Sequence, residues 1–140
     1  MSKYLITLLL VSNFANAEEV TYNWKPIKVL DGDTVKFEAP WVPKPLKQEI
    51  SVRVLGIDTP EKKPRNKCDQ EDELAQKASK FTKDKIANAK SIQVKVEDWD
   101  KYGGRILGHI IVDDKSLGNE LIENGLARAY HGEAKSSWCK

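Results

Sequence analysis

The sequence predicts a single small α+β domain, a barrel of about five short strands packed with two or three helices. Three observations carry this expectation. The length of 140 residues allows one domain of ordinary size and little else. Apolar residues alternate in several runs of strand length, each bounded by turn residues. One stretch, Asp69–Lys90, shows instead the apolar spacing of a helix.

Composition agrees with this class. Hydrophobic residues make up 40% and charged residues 31%, which is ordinary for a globular chain and too apolar for a disordered one. The 23 Lys and Arg against 21 Asp and Glu leave a formal charge of +2. That balance excludes a histone-like protein that holds nucleic acid by bulk cationic attraction. Any basic surface must be local.

The first segment reads as an address. Met1-Ser2-Lys3 is a short basic start, Tyr4–Val11 is an apolar run, and Ala15-Asn16-Ala17 is the small-residue pattern read by a signal peptidase. The run falls well short of the roughly 20 residues that cross a bilayer. Cleavage after Ala17 is expected, leaving residues 18–140 as the single domain. No lipid-attachment cysteine lies near the cut, so the mature protein is expected free of a membrane anchor, periplasmic or extracellular, and monomeric. Export also changes how the cysteines read: an oxidising compartment favours pairing Cys68 with Cys139. Two Cys and two His (His109, His131), none closely spaced, do not make a zinc site.

The elements follow in order. Tyr22–Leu30 and Val35–Glu38 read as strands joined through Asp31-Gly32-Asp33-Thr34, since Asp-Gly is a strong turn signal. Ala39–Leu46 contains three prolines and is a stiffened loop outside any central strand. Its Trp41, Lys44 and Lys47 read as a hairpin cover before they read as nucleic-acid contacts. Ile50–Ile57 is a strand, ended by Asp58-Thr59-Pro60-Glu61, and Lys62–Lys67 is a polar loop. In the helix, Leu74, Ala78, Phe81 and Ala89 share a face with Ala75, Thr82 and Ile86. Acidic residues at its start and lysines later follow the order the helix dipole prefers. Ile92–Val96 and Arg105–Val112 are further strands, and Ser116–Asn124 is a short helix that Gly125 is suited to end. An OB-type barrel fits this count.

Asp33 and Asp58 sit at strand ends among apolar neighbours, with Thr59 and Glu61 following in a Pro-stiffened turn. Oxygen ligands of this kind suit a hard divalent cation such as Ca2+ or Mg2+. Taken alone, Asp31–Thr34 reads as a turn before it reads as a metal segment, because Asp bonds nearby backbone. Arg53 lies on the opposite side of its strand from Val52 and Val54, and Arg105 opens another strand. Their planar guanidinium forks suit phosphate, and equally they suit the abundant carboxylates. Together, two arginines, two strand-end aspartates and a turn glutamate describe a metal-assisted phosphodiesterase centre.

Val29-Leu30-Asp31-Gly32-Asp33-Thr34-Val35, Val52-Arg53-Val54-Leu55-Gly56-Ile57-Asp58-Thr59-Pro60-Glu61 and Asp100-Lys101-Tyr102-Gly103-Gly104-Arg105-Ile106-Leu107-Gly108 resemble the thermonuclease (staphylococcal or micrococcal nuclease) family. Leu121–Ala127 is similar to the helix and turn that follow, so the match runs from Tyr22 to about Tyr130 in family order. The resemblance implies an OB-fold barrel and Ca2+-dependent hydrolysis of DNA and RNA, with a 5′-oxygen leaving group and 3′-phosphate products. It implies carboxylate ligation by Asp33 and Asp58 and a carbonyl from Thr59. Glu61 would orient or deprotonate water, and Arg53 and Arg105 would grip the scissile phosphate. Lys101, Tyr102 and Tyr130 are placed like family residues near the nucleotide, where a ring could stack on a base. The Pro-rich loop and Gly104, an extra residue before Arg105, depart from the family pattern. The alternative reading is a noncatalytic OB-type nucleic-acid-binding module. A retired enzyme should have lost some of Arg53, Glu61 and Arg105, and all three stand.

Overall fold

A computed structural model describes residues 20–140; the expected leader Met1–Ala17 lies outside the described residues. The chain runs β1 (Thr21–Tyr22), β2 (Pro26–Asp31), β3 (Thr34–Glu38), β4 (Glu49–Val54), β5 (Ile57–Asp58) and α1 (Asp69–Ala87), then β6 (Ile92–Trp99), β7 (Arg105–Val112), β8 (Lys115–Ser116), α2 (Leu117–Glu123) and β9 (Arg128–Ala129). The main sheet is ordered β1-β6-β7-β4-β3-β2, with β8 added to β7, while β5 and β9 form a separate two-stranded ladder.

Connectivity forces the main sheet to curl. Laid flat, six strands would hold their outer members about 24 Å apart. The outer members here are β1 and β2, joined only by Asn23–Lys25, a link that reaches at most about 14 Å between Tyr22 and Pro26. The two edges therefore lie side by side. The result is the OB-fold-like α+β architecture expected, with two helices.

Alternation decides which face is core. In β3, Val35 and Phe37 are buried; in β4, Ile50, Val52 and Val54; in β7, Ile106, Ile110 and Val112. Leu117 and Leu121 of α2 complete the same cluster. The intervening residues Ser51, Arg53, Arg105, Leu107 and His109 therefore share the outer face of the sheet. Pairing of β4 with β7 is parallel, setting Ser51 opposite Arg105 and Arg53 opposite Leu107. The two arginines are thus diagonal neighbours on one surface. Gly108 falls on the inner face of β7, where a Cβ would lie 2.2 Å from the Lys95 carbonyl oxygen. No side chain fits there.

Helix α1 begins at Cys68, whose sulfur accepts from the Glu71 amide at 3.4 Å. It packs Ala75, Ala78 and Thr82 inward, as its spacing predicts. Cys68 is bonded to Cys139, tying the helix start to the far end of the chain as expected. The Pro-rich loop is a hairpin cover: Gln48 Nε2 donates to the carbonyls of Pro40 and Val42, and Trp41 packs on Trp24 at 4.9 Å between ring centres.

Several boundaries differ from the sequence reading. Tyr22–Leu30 is two strands on opposite edges, because Trp24 turns inward between them against Phe37. Ile50–Ile57 is also two, broken at Gly56, whose φ of +79° is a left-handed turn that glycine adopts without strain. β6 runs on to Trp99 across a bulge between Val96 and Asp98. Helix α1 stops at Ala87, three residues before Lys90. Two-residue ladders such as β5 with β9 are too short for alternation to reveal.

Candidate active site

The turn Asp31–Thr34, the outer face of β4 and β7, and the loop after β5 converge on one cavity of about 160 Å³. Asp33, Arg53, Thr59, Glu61 and Arg105 all line it. Asp58 lines the adjoining cavity of about 220 Å³, which shares Thr59, Glu61 and Lys135 with the first. Residues from four separate stretches of the chain are therefore brought together.

Each is held by a specific neighbour. The Asp33 turn rests on α1. Gly32 sits so close to the helix that a Cβ would lie 2.8 Å from Ala78 Cβ, and buried Thr82 donates its hydroxyl to the Gly32 carbonyl at 2.7 Å. The Val54 amide donates to the Asp33 carbonyl at 2.8 Å, locking turn to strand β4. The Asp33 carboxylate accepts from Thr34 Oγ1 at 2.9 Å and faces Arg53 Nε at 3.6 Å. Asp33 and Asp58 are both buried, and each faces a cation, Arg53 and Lys135 respectively.

Asp58 lies in β5, directly opposite Arg128 of β9. Its Oδ1 is 3.3 Å from Lys135 Nζ, and its Oδ2 accepts from Trp138 Nε1 at 3.2 Å. Both partners come from the C-terminal segment. Glu61 owes its position to Glu71, a carboxylate buried in the first turn of α1. Glu71 Oε2 accepts from the Glu61 amide at 3.0 Å and its Oε1 from the Lys67 amide at 2.8 Å. The Glu61 carboxylate itself meets Arg65 Nε at 3.4 Å, a largely exposed pair of small energetic weight. Lys62 and Arg65 of the Lys62–Lys67 loop are both turned to Asp31, at 3.4 and 3.9 Å.

Arg105 is clamped by Asp100, whose Oδ2 accepts from both Nε (2.9 Å) and Nη2. The hydrogen bond from Arg105, reinforced by its charge, holds the Asp100 carboxyl below its ordinary range. Beside Arg53 a larger cavity, about 650 Å³, is lined by Lys101, Leu107, His109 and Tyr130. Two of the three residues read as substrate contacts therefore border the arginine. Tyr102 does not: it is 83% exposed, with Lys101 Nζ 4.9 Å above its ring.

The donors suit a hard divalent cation. All are oxygens: the Asp33 carboxylate on a turn, the Asp58 carboxylate at the end of β5, and the Glu61 carboxylate nearby. Among the described residues no three acidic, His or Cys side chains form a closed cage on their own. A cation held by two carboxylates and a carbonyl would sit in an open site, with room for further oxygen ligands. Glu71, Asp100, Thr82, Lys135 and Trp138 were not singled out as site residues in the sequence. A signal existed for Asp100, five residues before Arg105, and for Glu71 in an acid-rich helix start. Lys135 and Trp138 carry none.

Carboxylates facing guanidinium groups on the outer face of an OB-like sheet define an α+β domain with one concentrated cluster of opposite charges. Residues 51–138 match the model of the family described as Staphylococcal nuclease homologue, and the chain belongs to that family. It is 38% identical over 104 residues to Endonuclease YncB of Bacillus subtilis (strain 168), covering 72% of this chain and 44% of the relative. It is 36% identical over 104 residues to the SPbeta prophage-derived endonuclease YokF of the same strain, covering 72% and 32%. Thermonuclease of Staphylococcus intermedius is 34% identical over 103 residues, covering 73% and 56%. The matches thus span about a third to just over half the length of these relatives.

Proposed function

We propose that this chain is a Ca2+-dependent endonuclease that hydrolyses DNA and RNA with low sequence specificity, leaving 3′-phosphates. The observation that carries this reading is the convergence of Asp33, Arg53, Thr59, Glu61 and Arg105 on one cavity. Relatives bearing the names endonuclease and thermonuclease support it.

The Asp33 and Asp58 carboxylates and the Thr59 carbonyl would hold Ca2+, which when bound offsets phosphate charge. Glu61 would accept the proton of the attacking water, or orient that water. Arg53 and Arg105 would donate to the non-bridging phosphate oxygens, and being held already by Asp33 and Asp100 they need little reorganisation as charge builds. Tyr130 and Lys101 border the space where the adjoining nucleotide would lie. Tyr102, fully at the surface, would serve a base that projects outward.

The proposal includes export, with the leader removed after Ala17, action as a monomer, and a periplasmic or extracellular site of action. The Cys68–Cys139 bridge supports an oxidising compartment. Among the described residues no helix is long and apolar enough to cross a membrane. Plasmid DNA and RNA incubated with the purified protein, with Ca2+ or with chelator, test the reading. Ca2+-dependent cleavage that Glu61→Gln strongly reduces is expected; no cleavage from neutral to alkaline pH overturns it.

A further inference from the structure

The last residues of the chain form neither helix nor strand, yet they are tightly held. Cys139 is bonded to Cys68, Arg128 stacks its guanidinium on the Trp138 ring at 3.8 Å, and Arg128 Nη1 donates to the Ser137 carbonyl at 2.9 Å. This strap delivers two groups to one carboxylate: Trp138 Nε1 to Asp58 Oδ2 and Lys135 Nζ to Asp58 Oδ1. Lys135 also lines the cavity that contains Asp33, Arg53 and Glu61.

We propose that Lys135 is an intramolecular competitor for the cation site at Asp58, so that the strap sets how strongly the protein holds Ca2+. The inference rests on the nuclease reading above, which places Ca2+ at Asp58. A carboxylate oxygen contacted by an ammonium at 3.3 Å already has a positive charge where a divalent ion would be attracted. Two cations crowded at one oxygen repel, so Ca2+ entry requires Lys135 to swing away. The tether keeps that amine at high effective concentration, which makes its competition persistent. Trp138 plays a different part. It donates only to Oδ2, fixing the carboxylate so that Oδ1 is the oxygen in contest.

Half-exposed Lys135 can be changed without touching the core. Calorimetric titration of the purified full domain with Ca2+ alone, without nucleic acid, compares wild type with Lys135→Gln and Lys135→Arg. Lys135→Gln is expected to bind Ca2+ about tenfold more tightly, while Lys135→Arg, which keeps the charge, stays near wild type. Equal or weaker binding by Lys135→Gln, in a protein that still cleaves nucleic acid with Ca2+, overturns this inference alone. Absence of both Ca2+ binding and cleavage in wild type overturns the nuclease reading together with it.

Discussion

Asp100 holds Arg105 through a single carboxylate oxygen that accepts from two of its nitrogens. A guanidinium has five N–H donors, so the clamp fixes its plane and leaves the others for the cavity it lines. Asp100 stands just before the Lys101–Gly104 turn and Arg105 just after it, so the added Gly104 falls inside a loop closed by the pair. The Asp100 amide, 2.8 Å from the Arg105 carbonyl, closes the same loop through the backbone.

Asp100→Asn is expected to reduce cleavage less than Arg105→Ala does, since the guanidinium survives but loses its aim. Its effect on stability depends on pH. The Asp100 carboxyl titrates below its ordinary range in the fold, so its contribution is fully present above the unfolded value of about 4 and is lost as pH falls through the lowered folded value. The difference in melting temperature between wild type and Asp100→Asn should be constant near neutrality and close in acid. A difference independent of pH would contradict the clamp.

Glu61→Gln is expected to lower kcat by about a hundredfold to ten-thousandfold, the usual range for a lost general base. Melting temperature should be unchanged, because the Glu61 side chain is partly exposed and its amide bond to Glu71 is untouched. Single-turnover cleavage beside thermal denaturation checks both halves.

Glu71→Gln tests positioning at one remove. Glutamine keeps one acceptor, so only one of the two amides now fixed, Glu61 and Lys67, can stay bonded. A drop in kcat of roughly tenfold to a hundredfold is expected from a loosened Glu61, with KM little changed. Steady-state kinetics on an oligonucleotide separate the two constants.

Gly108→Ala is expected to destabilise the fold by about 3 kcal/mol, since the new methyl group must displace the Lys95 backbone. Urea denaturation of the variant measures it. The buried inner face offers no flexible side chain to yield.

Replacing Cys68 and Cys139 together by Ser should cost up to about 4 kcal/mol of stability in the chain-entropy model for a separation of 71 residues. Non-reducing mass analysis of the wild type should show both thiols consumed.

What the sequence made legible was local. Alternation in Ile50–Val54 and Arg105–Val112 placed Arg53 and Arg105 on one face of each strand, and the helical spacing of Ala75, Ala78 and Thr82 marked the inward side of α1. The resemblance tied Asp33, Arg53, Asp58, Thr59, Glu61 and Arg105 together; five of them line one cavity, and Asp58 lines the adjoining one. Hidden from it were links between distant segments. Thr82 reads as a core position, yet its hydroxyl props the Asp33 turn. Lys135 and Trp138 lie in a stretch with no periodicity, and only the folded chain sets them on Asp58.

The parallel pairing of β4 with β7 also bears on when the chain can act. Local hairpins such as β2 with β3 close quickly, but a parallel ladder between strands so far apart in sequence must wait for a long loop to be gathered in. Arg53 and Arg105 become neighbours only at that point. A chain without the β4–β7 ladder, however well its helix and hairpins have formed, holds the two arginines apart. Under the proposed nuclease reading, competence to cut would belong only to the completed molecule.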